Sequence, residues 1–569
     1  MPSTDYDSII IGSGAGGLAA AVALANAGQK VLVLEQHYVA GGWCHSFTLQ
    51  GYRFSPGVHY IGGLQPGGSM RFLYRGLGVS GDLAFCELNP DGFDHVRVGD
   101  PQSEGQQTFD IPKGREVYID RLKTRFPADA RGIDSLFAVL KKIVEQIPVA
   151  SNVKGPLDML TLPFRAPDLM RWAYGNMQAL VNSHVSDPFL KAILVAQTGD
   201  HGVPPSLVSP VMHGSVMDHY YGGGYYPMGG GFAIPRAFVR ALKRKGGQLR
   251  LSTHVERILI EDGRAIGVRL AGGEEIRATN VISNADPEVT FGRLVGRDHL
   301  SGGLRRRLGK VTYSTSALSL FFAVDMDLKA AGLDSGNVWY SAHTDIDRIY
   351  RDGMTDHNLG SQPIEGAFLT ATTLKDPSKM HSGHHTCEMF AFVGYDAFKR
   401  WEQGHASEGQ VKPGEYADFK EHITDKMFDT LEKIVPGIRN HVVFAELGTP
   451  LTNRYYLNST QGNLYGIDHT PGQMGPGAFS IKSEIDGLYL AGASTVSHGV
   501  AGATISGVMA AKQILNCRMQ DLMRQRGPDI AIYPSDDLSQ WPDDLQARIA
   551  RKQNQAEDDD PLAEITEKG

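Results

Sequence analysis

The stretch DSIIIGSGAGG, residues 7–17, decides the fold of this 569-residue chain. Its β-branched start predicts a buried parallel strand over Asp7–Gly12, and the Ala- and Leu-rich run that follows predicts a helix over Gly16–Ala27. The stretch KVLVLE at Lys30–Glu35 predicts a second buried strand, which completes a βαβ unit. This part of the chain therefore predicts an α/β fold with a parallel sheet.

The glycines between the first strand and the helix have the spacing Gly-x-Gly-x-x-Gly. In this context Gly12 permits a tight turn, Gly14 lets a pyrophosphate approach the backbone, and Gly17 lets the helix pack against the strand. The phosphates would sit on the free N–H groups at the positive end of the helix dipole. We therefore predict a Rossmann-type dinucleotide site formed by Gly12, Ser13, Gly14, Ala15, Gly16 and Gly17.

Glu35 ends the second predicted strand. A carboxylate at that place accepts hydrogen bonds from both hydroxyls of the adenosine ribose and repels a 2′-phosphate. The βαβ unit alone therefore predicts FAD or NAD, and the choice between them needs residues elsewhere in the chain.

The chain is longer than the size at which a single core stops growing, which predicts two domains. After Gly63 the pattern loosens, with helices predicted over Gly132–Gln146 and Ala166–Val185, before a helix at Ala233–Lys245 and several strands. We predict a discontinuous Rossmann-like cofactor domain (residues 1–63, 229–286 and 482–517) with an inserted α+β substrate domain (residues 64–228 and 287–481). Residues 518–569 lose the apolar periodicity and predict an acidic tail that lies over the surface or is partly disordered.

The composition excludes several classes of protein. A net charge of −8 and the lack of a basic stripe argue against nucleic acid as a partner. The four cysteines lie far apart, which fits a reducing compartment, and the start of the chain resembles no signal peptide, so we expect a cytoplasmic protein. No metal site is expected, because the histidines beside Cys387 lack a second cysteine pair.

The longest apolar runs are shorter than the roughly 20 residues of a membrane-spanning helix, so any membrane contact would be peripheral. The stretch Leu157–Val185 mixes large apolar residues with Arg165 and Arg171. This mixture fits either a helix packed between domains or a segment in the membrane interface. The sequence gives no indication of the oligomeric state.

Several later segments resemble the flavoprotein superfamily of amine oxidases and carotenoid desaturases. AGGWC at residues 40–44 is similar to its Gly-Gly motif beside the pyrophosphate and ribityl chain, and GLYLAG at 487–492 with GVAGA at 499–503 is similar to its closing strand and helix. The resemblance implies FAD, with backbone N–H groups near the flavin and Val255 near the adenine. It adds these expected contacts to the turn and Glu35: Gln36, Gly41, Gly42, Trp43, Val255, Gly492, Val500 and Ala501.

A sharper resemblance is to retinol saturase and its carotenoid isomerase relatives. It is carried by residues 35–37, 44–47 and 57–62, and continues in residues 225–230, 451–456 and 464–469. This resemblance implies an FAD-dependent enzyme that reduces, introduces or isomerises carbon–carbon double bonds in a hydrophobic polyene or isoprenoid substrate. Reduction would require NAD(P)H or a protein as the electron donor.

His59, Tyr60 and His498 are the candidate proton-handling residues, because they flank the segments expected around the flavin ring. Two other functions stay open at this point. One is an amine-oxidase-like flavoenzyme, which would need an aromatic cage for an amine. The other is a non-enzymatic escort protein that binds prenylated lipids on the same fold, against which the intact glycine motif and Glu35 argue.

Overall fold

The computed structural model describes residues 4–101, 105–151, 155–353, 359–402 and 414–554. The strands, in chain order, are β1 (Tyr6–Ile11), β2 (Val31–Leu34), β3 (Phe47–Leu49), β4 (Tyr52–Phe54), β5 (Ala84–Glu87), β6 (Asp94–Val98), β7 (Gln107–Ile111), β8 (Tyr225–Pro227), β9 (Gln248–Arg250), β10 (Val255–Glu261), β11 (Arg264–Leu270), β12 (Glu275–Ser283), β13 (Ser316–Val324), β14 (Asn337–Ser341), β15 (Gly366–Ala371), β16 (His385–Val393), β17 (Val442–Gly448), β18 (Leu488–Leu490) and β19 (Ala531–Pro534).

The α-helices are α1 (Ala15–Asn26), α2 (Ser69–Leu77), α3 (Arg115–Arg125), α4 (Ala130–Ser151), α5 (Pro156–Arg165), α6 (Pro167–Trp172), α7 (Met177–Asn182), α8 (Pro188–Val195), α9 (Pro210–Tyr220), α10 (Ala233–Arg244), α11 (Gly302–Leu308), α12 (Ile346–Gly353), α13 (Thr372–Lys375), α14 (Lys399–Glu402), α15 (Glu415–Ile434), α16 (Pro450–Leu457), α17 (Gly499–Leu515), α18 (Met519–Leu522) and α19 (Asp543–Asn554). A π-helix spans Glu288–Gly296.

The predicted βαβ unit forms the middle of the first sheet, with each element ending within a residue or two of its predicted bounds. The sheet has the order β10-β11-β12-β1-β2-β9, and β18 also pairs with β12. β1 lies parallel to both β2 and β12, and all of its residues except Asp7 are buried, as expected for a strand covered on both faces. The strands of this sheet come from three separated parts of the chain, and β18 brings residues close to the C-terminus beside the N-terminal strands.

α1 is covered on all sides, which explains its uniformly apolar sequence. It packs against α10 and α17. The contact with α17 is close, since a side chain on Gly507 would collide with the carbonyl oxygen of Gly16. The segment that begins at Gly499 therefore closes over the start of the dinucleotide unit.

The second sheet has the order β17-β13-β16-β15-β14-β6-β7 and is antiparallel except between β14 and β6. Successive side chains on its strands point to opposite faces. On β15 and β16, Leu369 and Met389 join the core that includes residues of α15, whereas Phe368 and Phe390 face the core that includes residues of α8 and α9. This sheet supplies an aromatic face toward the space between the two sheets.

Two predictions differ from the observed fold. The helix predicted over Ala166–Val185 is divided into α6 and α7, because Asn176 starts a new helix by accepting a hydrogen bond from the Ala179 N–H at 2.8 Å. Gly175, just before it, favours the turn.

The C-terminal segment is more ordered than the predicted tail. β19 pairs in parallel with β5, and Trp541 is buried, with its indole N–H donating to the Pro534 carbonyl. A single strand docks through its backbone and a few isolated apolar side chains, so it needs no periodic pattern. The acidic run at residues 558–560 lies outside the described residues. In the described ranges, no helix is both long enough and apolar enough to cross a membrane.

Candidate active site

A continuous cavity lies between the two sheets. On one side it is lined by residues at the carboxyl ends of β1 and β2, including Gly12 and Glu35. On the other side it is lined by aromatic residues of the second sheet: Trp339, Phe368, Phe390 and Phe392. A glycine-rich surface and an apolar wall therefore open into the same space, which suits a dinucleotide beside a hydrophobic substrate.

The turn before α1 is shaped to leave room at the helix N-terminus. Gly12 has φ +91°, and α1 has neither a side-chain cap nor an acidic residue in its first turn. A side chain on Gly14 would place its Cβ 2.6 Å from Nδ2 of Asn284, and one on Gly17 would collide with the Gly12 carbonyl. The uncapped N–H groups of α1 are therefore accessible to an anion, as a bound pyrophosphate requires.

Asn284 follows β12 and lies against this turn. Its Oδ1 is buried and has no hydrogen-bond partner within the described part of the chain, although Asn284 lines the cavity. A buried polar atom without a partner is unfavourable, so this oxygen fits a donor supplied by a bound group. Together with the open helix end, it shows that the residues present fit a dinucleotide cofactor.

Glu35 is buried and already holds the turn together. Its Oε2 accepts from the Ser13 N–H at 2.8 Å and the Ser13 hydroxyl at 2.6 Å, and its Oε1 accepts from the His37 N–H at 2.9 Å. A carboxylate has about four acceptor positions, so the three bonds leave room for one ribose hydroxyl rather than the two expected from the sequence. The Ser13 hydroxyl in turn accepts from the Gly41 N–H.

Most of the residues expected at the cofactor border the cavity. Those that line it are Gly12, Gly14, Ala15, Gly16, Glu35, Gln36, Gly41, Gly42, Trp43, Val255, Gly492 and Val500. Ser13, Gly17 and Ala501 are absent from its described lining. For Ala501 the reason is the helical period, because Gly499, Val500 and Ala503 share the face of α17 that borders the cavity.

His498 stands behind the cavity wall in a chain of buried histidines, and is not among the described residues that line the cavity. Its Nε2 lies 2.8 Å from Nδ1 of His201, whose Nε2 lies 3.2 Å from Nδ1 of His213. His213 Nε2 bonds to the Leu194 carbonyl, which only accepts, so each ring in the chain donates from Nε2. Burial lowers the pKa of His213 to about 4 and the pKa values of His201 and His498 well below 6.5, so all three are neutral at pH 7.

His59 lines the cavity and is paired with a buried carboxyl group that no sequence motif marks. Its Nε2 lies 2.9 Å from Oε2 of Glu388, whose Oε1 accepts from the Ser55 N–H. Burial lowers the pKa of His59, and Glu388 only partly offsets this. His59 is therefore a neutral ring whose Nε2–H points to Glu388 rather than into the cavity.

Tyr60 also lines the cavity, and its hydroxyl oxygen lies 3.0 Å from Oδ2 of Asp94 and 3.0 Å from Oδ2 of Asp200. Burial raises the pKa of Asp94 to about 6, although hydrogen bonds from Asn337, Gln197 and Tyr60 oppose the shift. Burial and the neighbouring Asp94 raise the pKa of Asp200 well above its usual range. Neither carboxyl group is marked by a sequence motif.

Lys375 completes this group of buried charges. Its Nζ donates to the His59 carbonyl at 2.7 Å and to Oδ1 of Asn337. Burial lowers the pKa of Lys375 to about 7, against the raising effect of Asp94 and Glu388. Of these groups, Glu388 could have been recognised from the sequence. It is the only acidic residue of β16, a nine-residue strand that is otherwise mostly apolar.

Comparison with known families gives one match over most of the chain. The family described as flavin containing amine oxidoreductase matches residues 15–515. This range begins inside the dinucleotide turn, at Ala15, and includes the aromatic wall of the cavity and α17.

Curated proteins with similar sequences act on retinoids and carotenoids by name. All-trans-retinol 13,14-reductase of Danio rerio is 30% identical over 533 residues, which cover 90% of this chain and 86% of that protein. Chloroplastic prolycopene isomerase of Daucus carota is 28% identical over 538 residues, which cover 90% of this chain and 80% of that protein.

Solved structures agree on the fold. An oxidoreductase from Methanosarcina mazei superimposes with a TM-score of 0.61 at 18% identity, covering 89% of this chain and 99% of that chain. Wild-type putrescine oxidase bound to putrescine gives a TM-score of 0.60 at 16% identity, covering 90% of this chain and 99% of that chain. The predicted α/β class with a Rossmann-like FAD-binding domain is confirmed at the level of the fold.

Proposed function

The chain belongs to the flavin-containing amine oxidoreductase family, and from this premise we propose that it acts on carbon–carbon double bonds of a hydrophobic polyene of the retinoid or carotenoid class. The observation that carries the proposal is the shared cavity, in which a glycine-rich dinucleotide cradle and an aromatic wall face the same space. The names of the relatives support this substrate class.

The residues proposed to hold FAD are those of the turn, the Gly41-Gly42 loop and the start of α17. The helix end at Gly14 would receive the pyrophosphate, and Glu35 one ribose hydroxyl. When bound, FAD supplies a ring that accepts or returns a hydride. The N–H groups at Gly499 and Val500 would stabilise negative charge on that ring.

The aromatic wall fits the polyene. The Trp339 and Phe368 rings lie 4.7 Å apart between centroids, and Phe390 lies 4.7 Å from the His59 ring. Such a wall positions an extended apolar chain by contact alone, because it offers few polar groups. The polar groups His59, Tyr60 and Asp200 then mark where a proton can be handled.

Two finer points belong to the same proposal. For net reduction we propose NAD(P)H as the electron donor. We also propose peripheral membrane contact through α5 and the turn after α6, where Leu160, Phe164 and Tyr174 are 75%, 86% and 78% exposed. Exposed large apolar side chains next to Arg165 suit the boundary between lipid headgroups and acyl chains.

The test is the visible spectrum of the purified full-length protein, followed by anaerobic addition of NADPH and then of all-trans-retinol or a carotene. We expect a flavin spectrum. Bleaching by NADPH that the polyene reverses indicates a reductase, bleaching by the polyene alone indicates a desaturase, and a changed double-bond geometry without a net redox change indicates an isomerase. Bleaching by putrescine but not by any polyene would overturn the proposal in favour of an amine oxidase.

A further inference from the structure

The Tyr60 hydroxyl lies between two carboxyl groups. If both were ionised, there would be too few hydrogen atoms to form a hydrogen bond at each of the two contacts. A tyrosine hydroxyl has one hydrogen, yet its oxygen lies 3.0 Å from a carboxyl oxygen of Asp94 and 3.0 Å from one of Asp200. With two carboxylates, one of these contacts would place two lone pairs against each other. One of the two carboxyl groups must therefore carry a proton and donate it to the Tyr60 oxygen.

The other contacts identify which carboxyl group is protonated. Asp94 is fully buried and accepts at both oxygens, from Nε2 of Gln197 and Nδ2 of Asn337, each at 2.8 Å. These donors suit an anion. Asp200 has no hydrogen-bond partner other than Tyr60 among residues 4–101, 105–151, 155–353, 359–402 and 414–554. The proton therefore lies on Asp200, and the Tyr60 O–H points to Asp94.

Asp200 is also the carboxyl group of the pair that reaches the substrate space. Asp200 and Tyr60 line the cavity, together with Trp339 and Phe368, whereas Asp94 lies behind them at zero exposure. The sequence of groups from the cavity inward is thus a protonated carboxyl, a phenol and an anion.

We infer that Asp200 is the acid that exchanges a proton with a polyene carbon in this cavity, and that Tyr60 and Asp94 are positioning residues that keep it protonated; this inference rests on the proposed function. In the reductive direction bound FAD, once reduced by a two-electron donor such as NAD(P)H, would supply the hydride for one carbon of a double bond. The neighbouring carbon receives the proton of Asp200, and the π electron pair of the double bond forms the C–H bond to that proton. Asp200 is left as a carboxylate. The Tyr60 O–H is within reach to stabilise that carboxylate, and solvent returns the proton after product release.

The surroundings of Asp200 favour the neutral acid. The titratable groups that face it are Asp94, Tyr60, Tyr220, Tyr350 and Tyr465, and Lys375 lies beyond Asn337 on the Asp94 side. Burial and the Asp94 charge raise the pKa of Asp200, and none of the groups in direct contact with it is a cation. His59 is less suited as the acid, because its ring is neutral and its Nε2–H is directed to Glu388.

Infrared spectroscopy of the full-length, flavin-loaded protein tests where the proton lies. The pH is set to about 7.5, above the pKa of Asp94, so that Asp94 is ionised. The wild-type minus Asp200→Asn difference spectrum should contain the C=O band of a protonated carboxyl group, which moves in D2O. The wild-type minus Glu388→Gln spectrum should contain carboxylate bands instead, since Glu388 accepts from His59 and Ser55. Carboxylate bands in the Asp200→Asn difference would overturn the inference.

Turnover of all-trans-retinol by reduced protein tests the chemical role. We expect Asp200→Asn to lose about 100-fold or more, as for other general acids, and Asp200→Glu to recover part of the rate with a changed pH profile. Bound-flavin absorption and circular dichroism report whether each variant is folded. Wild-type rates in Asp200→Asn would overturn the inference and leave the proposed function intact. If the wild type turns over no polyene, the proposed function fails, and the infrared result still decides where the proton lies.

Discussion

The Glu35 carboxylate accepts two hydrogen bonds from Ser13, one from its backbone N–H and one from its hydroxyl. The acid at the end of β2 is thus part of the glycine-rich turn as well as a candidate ribose ligand. Its loss would disturb the turn and the cofactor together.

Glu35→Gln should weaken FAD binding about 10- to 100-fold, because hydrogen bonds to a charged group contribute roughly 1.5–3 kcal/mol and the new NH2 group must face an N–H donor of Ser13 or His37. Flavin fluorescence on titration of the apoprotein measures this. The matched control is Glu274→Gln, a half-exposed carboxylate paired with Arg250 in the same sheet region, which should leave the affinity within about 2-fold. Equal weakening by both variants would contradict the assigned role of Glu35.

Gly14→Ala should lower stability by about 1–3 kcal/mol and abolish flavin retention, because its Cβ would lie 2.6 Å from Nδ2 of Asn284. Adding Asn284→Ala removes the collision and should restore stability in urea unfolding, though not full flavin affinity. Gly272→Ala, which meets no atom within 4 Å and lies in a turn between β11 and β12, is the control. A double variant as unstable as Gly14→Ala would show that the collision is not the cause.

The stability of the folded protein should fall as the pH drops from 7 to 5. His213 has a folded pKa of about 4 and an unfolded value near 6.5, and the pKa values of His201 and His498 are lowered further, so the unfolded chain binds more protons in this range. Each such histidine removes about 1.4 kcal/mol of the free energy of unfolding per pH unit below 6.5.

Urea unfolding at several pH values measures this slope. His213→Gln keeps a donor for the Leu194 carbonyl and an acceptor for His201, so it should remain folded while the slope decreases by about one proton. Val443→Ser, which changes an exposed position without a titratable group, should leave the slope unchanged. An unchanged slope in His213→Gln would mean that this histidine does not titrate on unfolding.

Leu160→Ser/Phe164→Ser should reduce binding to vesicles of mixed zwitterionic and anionic lipid at least 10-fold, since burial of each large apolar side chain contributes about 1.5–3 kcal/mol. Vesicle co-sedimentation measures the change. Val443→Ser, which alters an exposed apolar residue on β17, should have no effect. Retained binding in the double variant would exclude α5 as the contact.

The cofactor half of the molecule could be predicted from local sequence, because each of its features lies within a few residues of the next. Strand, turn, helix and strand follow each other from Tyr6 to Leu34, and the glycine spacing fixes the turn. Even there, the motif predicts Ala501 as a contact, whereas the helical period turns Ala503 toward the cavity instead.

The group of Tyr60 and its two carboxyl neighbours could not be predicted in this way. Tyr60, Asp94 and Asp200 come from distant parts of the chain, and only the pairing of β6 with β14 and the placement of the turn after α8 bring them together. No period or spacing links them in the sequence. Glu388 is the exception, since a lone acid inside an apolar strand has to find a partner.

The packing of α17 against α1 has a consequence for how the protein is made. On the ribosome, β1, α1 and β2 emerge early, but the surface that closes over them is translated only after residue 499. A nascent chain must therefore carry the mostly apolar α1 without this cover until residue 499 has been translated, and such a surface is of the kind that chaperones recognise. Cofactor loading becomes a late checkpoint, passed only by chains that have been translated beyond residue 499.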